Sequence, residues 1–100
     1  MFYYNHGAQG RRKAVKVVAK PVRMIAAFDE KGAPEPIRFK IEEYGFPVVV
    51  KVGKVIGKET IRPSGMEAIV FRCQSEMCGS IKHYELIFRV KPHQWELYRI

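Results

Sequence analysis

Short apolar runs recur along this chain with a period of two rather than the 3.6 of a helix. Ile37, Phe39 and Ile41 alternate with Arg38, Lys40 and Glu42, the pattern of a strand with one buried face and one wet face. "PVVVKV" sets Val48, Val50 and Val52 on one parity and Val49 on the other before Lys51, which reads as a strand nearer the middle of a sheet. The runs are separated by "DEKGAPEP", "EYGFP", "GKETIRPSG", "EMCGS" and "KPHQ", each carrying glycine, proline or a compact polar turn. This punctuation predicts six strands, near 14–28 with a bend or break at Pro21, 36–43, 47–56, 66–75, 81–91 and 94–100, and requires no helix.

In the C-terminal third, side-chain chemistry constrains the register. A two-residue turn at Cys78 and Gly79 places Ile69 opposite Phe88, Phe71 opposite Leu86 and Cys73 opposite Tyr84, while Arg72 meets Glu85 on the other face. A type I turn in "KPHQ" with Pro92 second then pairs Val90 with Trp95, Phe88 with Leu97 and Arg89 with Glu96. The resulting meander buries Ile69, Phe71, Cys73, Leu86, Phe88, Val90, Trp95 and Leu97, which form the predicted core. Its outer face aligns Val70, Ile87 and Tyr98 between charged rows. Such a row is either covered by the N-terminal strand or barrel curvature, or serves as a dimer or ligand interface. The fold class is therefore all-β and mainly antiparallel: a small six-stranded barrel, or a compact two-sheet sandwich, with a C-terminal three-strand meander. The barrel is preferred, because closure removes edges that strands such as "PVVVKV" would otherwise expose.

With 100 residues, 47% of them apolar, the chain fits one globular domain and lies far from disordered compositions. No apolar run approaches the roughly 18 residues of a membrane span, and "MFYYNHGAQGRRK" lacks the order of a secretory signal. The expectation is a cytoplasmic protein with no membrane partner and two reduced cysteines. Charge is unevenly placed. Residues 1–23 hold six basic side chains and no acid, whereas the remainder holds twelve basic and ten acidic. This divides the chain into a basic, aromatic N-terminal arm over residues 1–13 and a single β domain over 14–100.

The stretch "FRCQSEMCGSIKHYEL" brings Cys73, Cys78 and His83 close in sequence. In the register above, the cysteines lie most of a strand apart, more than ~10 Å at ~3.3 Å per residue, beyond the roughly 7 Å a disulfide spans. His83 faces Gln74, so parity separates it from Cys73 and disfavours a nucleophile pair. A slip of one residue at Gly79 would join them, at the cost of setting Phe71 against Glu85. The cysteine spacing lacks the second ligand pair of a structural zinc site. Glu42 and Glu43 point to opposite faces, and the chain carries no phosphate loop, HExxH or G-x-S-x-G pattern. No metal, no cofactor and no enzymatic activity are expected.

Two functional expectations remain. In the first, the arm binds nucleic acid or another polyanion: Arg11, Arg12, Lys13 and Lys16 contact phosphates, and Tyr3 and Tyr4 stack on unpaired bases. In the second, the protein is an interaction or assembly module, a homodimer that buries Val70, Ile87 and Tyr98 or exchanges its long first strand. From Arg23 onward, "RMIAAFDEKGAPEPIRF", "VFRCQS", "YEL" and the terminal "WELYRI" resemble a group of short all-β bacterial proteins without assigned function. That resemblance implies the same compact β fold, rests on framework residues and carries over no catalytic or binding position.

Overall fold

A computed structural model describes residues 17–43 and 45–100, without the Glu43 side chain. Eight strands follow one another: β1 (Val17–Pro21), β2 (Arg23–Phe28), β3 (Pro34–Glu43), β4 (Phe46–Lys51), β5 (Lys54–Ile61), β6 (Ala68–Met77), β7 (Ser80–Arg89) and β8 (Gln94–Arg99), with one 3-10 turn at Pro63–Gly65. They form two antiparallel sheets, one of five strands in the order β1-β8-β7-β6-β5 and one of three in the order β2-β3-β4. The expectation of six strands closing into a barrel is thus corrected to eight strands in a two-sheet sandwich.

The two extra strands arise where the chain changes sheets. The run expected over 14–28 divides at Val22, whose N–H donates to Trp95 O at 3.1 Å before Arg23 takes up pairing with β3. The run over 47–56 divides at Val52 and Gly53. Val52 N–H donates to Ile37 O in the small sheet at 2.9 Å, and the next N–H, of Gly53, donates to Gln74 O in the large sheet at 3.0 Å. Strands that bend across from one sheet to the next are how stacked sheets make corners. These two crossings join the sheets covalently, without a closed hydrogen-bond ring. The same topology moves "PVVVKV" from the expected centre to the edge of the small sheet. Its parity is as read, with Val50 buried, Val48 and Val52 half-buried and Val49 exposed.

The segment "GKETI", read as loop, continues β5. A register shift between Val55 and Gly57 flips its alternation, so the period-two signal breaks although pairing with β6 continues to Ile61. Between β6 and β7 the register is the expected one throughout, from Ile69 opposite Phe88 to Gln74 opposite His83. Cys78 and Gly79 form the turn with φ of 51° and 81°, the left-handed pair that a two-residue type I′ hairpin requires. Between β7 and β8 the pairing differs from expectation by two residues: Phe88 meets Trp95 and Leu86 meets Leu97. The hydrogen-bonded turn starts at Val90, which accepts from His93 N–H at 3.2 Å, and so closes one position earlier than "KPHQ" suggested. A shift of two keeps every side chain on its face. Arg89 still reaches Glu96, at 3.0 Å.

Phe39, Ile41 and Val50 from the small sheet pack against Phe71, Cys73, Tyr84, Leu86, Phe88, Trp95 and Leu97 from the large one. Ile69 and Val90, expected inside, are partly buried against this cluster. Trp95 lies between Phe71 and Phe88, with ring centroids 5.5 and 4.8 Å away, and Phe39 meets Tyr84 edge-on across the sheets at 5.8 Å. Each such side chain contributes roughly 1.5–3 kcal/mol on burial.

Candidate polyanion-binding face

The small sheet turns Phe39, Ile41 and Val50 into the core, so alternation turns their neighbours outward. Arg23, Ile25, Arg38, Lys40, Glu42, Pro47, Val49 and Lys51 are all exposed there. Register then decides which of them become neighbours. Arg23 lies opposite Lys40, which lies opposite Val49; Ile25 lies opposite Arg38, which lies opposite Lys51. Four cations therefore occupy two adjacent rows, about 4.5–5.5 Å apart across strands at Cβ and about 6.8 Å apart along β3. Glu35 opposite Ala27 and Glu42 opposite Pro47 stand beyond the two rows, one at each end.

Like charges placed directly across strands destabilise a sheet. Arg23 with Lys40, and Arg38 with Lys51, are two such pairs on one small sheet. None of the four forms an ion pair with a described residue. The outer face of the large sheet is built the opposite way. Arg72 pairs with Glu59 at 3.7 Å, Arg89 with Glu96 at 3.0 Å and Arg99 with Glu85 at 3.7 Å. One face of the sandwich neutralises its arginines internally, and the other leaves its cations to the solvent.

The basic rows rest on a buried polar knot at the β4–β5 corner. Ser75, 2% exposed, donates its hydroxyl to Lys51 O at 2.7 Å and accepts from Gly53 N–H at 3.3 Å. Tyr84 Oη lies 2.5 Å from Ser75 Oγ, a hydrogen bond in which either hydroxyl can be the donor. Burial raises the Tyr84 phenol to about 12, against a lowering by its Ser75 hydrogen bond. This knot fixes the end of β4 from which the Lys51 side chain projects.

Of the residues expected to carry function, Tyr3, Tyr4, Arg11, Arg12, Lys13 and Lys16, and with them the arm over 1–13, lie outside the described residues. Val70 and Ile87 are opposite one another as expected, but they are buried, and with Ala68 they form a second small cluster against which Ile61 and Tyr98 pack. Ile87 faces Glu96 rather than Tyr98 because of the two-residue shift in β8. Cys73 faces Tyr84 inside the core and His83 is exposed opposite Gln74, so the structure does not bring Cys73 and His83 together. The Cys73 thiol is wholly buried, which pushes it up to about 12, with the Glu85 charge acting in the same direction. Cys78 is exposed at the hairpin tip, and both thiols are free. Among the described residues, no three His, Cys, Asp or Glu side chains converge as a metal site, and no helix is long and apolar enough to cross a membrane.

Sequence reasoning missed Arg23, Arg38, Lys40 and Lys51 as a group. Each strand contributes only one or two of them, at outward positions that look like ordinary solvation. The signal was the parity of "IRFKIEE" together with "RMI" and "VVVKV", which gains meaning only once β2, β3 and β4 are known to be adjacent. A scan against protein-family models and searches of curated proteins and of solved structures found no match to this chain.

Proposed function

We propose that this protein is a non-enzymatic binding module for nucleic acid, and that its outer β2-β3-β4 face is the docking surface. The observation that carries the reading is the pair of like-charge cross-strand contacts, Arg23 with Lys40 and Arg38 with Lys51. A sheet that holds such contacts without a carboxylate between them gains from an external polyanion, which neutralises the repulsion and releases its own counterions. The cations at 11, 12, 13 and 16 contribute to the chain's net charge of +8. The assembly reading is weaker on two counts. Val70 and Ile87 are already buried within the chain, and the long first strand is shared between two sheets of the same molecule.

The test is a double variant, Lys40→Glu with Lys51→Glu, measured by fluorescence anisotropy against labelled DNA and RNA at two salt concentrations. Each new glutamate sits opposite an arginine and replaces a repulsive pair with an attractive one. The variant should be more stable by about 0.2–1 kcal/mol per pair while its binding collapses. A second variant with Arg11, Arg12 and Lys13 changed to glutamine separates the arm's share from that of the face. Absence of binding by the unaltered chain at low salt, or undiminished affinity in the double variant, would sink the proposal.

A further inference from the structure

We infer that the β2-β3-β4 face grips the phosphate backbone of double-stranded nucleic acid and does not read its bases; this rests on the nucleic-acid reading above. Three features point to it. The first is the side-chain inventory. Arg23, Ile25, Arg38, Lys40, Val49 and Lys51 make up the two rows, and neither row contains an aromatic side chain on which an unpaired base could stack. Proteins that hold single strands without sequence preference combine a basic groove with such stacking platforms. Nor do the rows contain an asparagine or glutamine, the residues that pair with both edges of adenine in the major groove.

The second feature is breadth. Two strands of antiparallel ribbon fit a major groove about 12 Å wide. Here three strands lie side by side, about 4.8 Å apart, and are backed by a further sheet at about 10 Å. A body of that width rests across the groove walls, where phosphates stand, and its arginines are held away from base edges.

The third feature is charge density. A duplex presents one charge per roughly 1.7 Å of axis, against 3.4 Å for one of its strands. Two cation rows about 6.8 Å apart can meet several phosphates of a duplex at once. Contacts of this kind position a protein and carry no sequence information.

The experiment is a titration of the full chain into two labelled 20-base-pair duplexes of unrelated sequence, one rich in A·T and one rich in G·C, and into their separated strands, over a salt series. Equal duplex affinities within about twofold, several-fold weaker binding of single strands and a log–log salt slope no steeper than about −3.6 for up to four face contacts are expected once the arm's cations are changed to glutamine. Arg38→Ala with Lys40→Ala should lower the slope by about 1.8 without lowering the melting temperature. Single strands binding as tightly as duplex, a tenfold preference for one sequence, or an unchanged slope in the face variant would each overturn the inference while leaving nucleic-acid binding standing. Failure of every oligonucleotide to bind at low salt would instead overturn the nucleic-acid reading itself.

Discussion

Cys78 occupies a backbone conformation that a β-carbon resists. Its φ of 51° precedes Gly79 at 81°, and a non-glycine residue in this region costs roughly 1–2 kcal/mol. Asparagine tolerates the conformation better, and Asn-Gly is the preferred pair for this hairpin turn. Cys78→Asn should therefore stabilise the domain by about 1 kcal/mol, a rise of roughly 4–8 °C in Tm for a chain of this size, read by thermal melting. A melt at or below that of the unaltered chain would show that the turn is not strained as described. Two other residues govern the response to alkali. Burial raises Cys73 from 9.0 to about 12 and Tyr84 from 10.0 to about 12. The folded chain thus keeps both protons through a range in which the unfolded chain loses them. Their contribution is complete below pH 9 and is lost as pH rises from 9 through 12, at about 1.4 kcal/mol per pH unit for each group titrating in the unfolded state. Urea unfolding at pH 8, 9.5 and 11 should show stability falling from pH 9 and more steeply above pH 10, with Tyr84→Phe flattening the upper part. A level profile would contradict this account of the core.

At the scale of elements, a sequence pattern displays faces better than it displays adjacency. The β6–β7 hairpin was legible to the residue because both its faces are informative: Phe71 meets Leu86 on one side and Arg72 meets Glu85 on the other. The β7–β8 register was legible only modulo two, since a shift of two leaves each residue on its face. The corners at Val22 and Val52–Gly53 left no trace in the alternation. Val22, Met24 and Ala26 continue one inward parity, as do Val48, Val50 and Val52, so the alternation does not record the change of hydrogen-bond partners, although Pro21 marked the first corner as a bend or break. The basic face was hidden for the same reason, because its four cations belong to three strands whose order is a tertiary fact. Gly53 was nevertheless a local clue to the crossing. A β-carbon there would stand 3.0 Å from Gln74 O and 3.5 Å from Ser75 Cα, both backbone atoms of the strand it crosses. Gly53→Ala should cost about 1–3 kcal/mol through this crowding. Gly57→Ala is the control, since it meets only the movable end of Arg72, and it should cost much less. Equal melting temperatures for the two variants would remove the crowding argument.

For the molecule as a whole, the two outer surfaces differ in electrical character. If the small sheet docks a polyanion as proposed, the association rate should fall as salt screens its cations beyond a Debye length of about 10 Å at 0.1 M. The core itself contains a feature of practical use. Of the two cysteines in the chain, Cys78 is exposed at a hairpin tip and Cys73 is 0% exposed in the core between the sheets. A thiol reagent added to the folded protein should modify Cys78 at once, whereas Cys73 must wait for the sheets to part. Every chain therefore carries a tally of its own openings: the ratio of doubly to singly labelled mass, followed over time, measures how often the sandwich comes apart. Added duplex DNA should slow the appearance of the second label without altering the first.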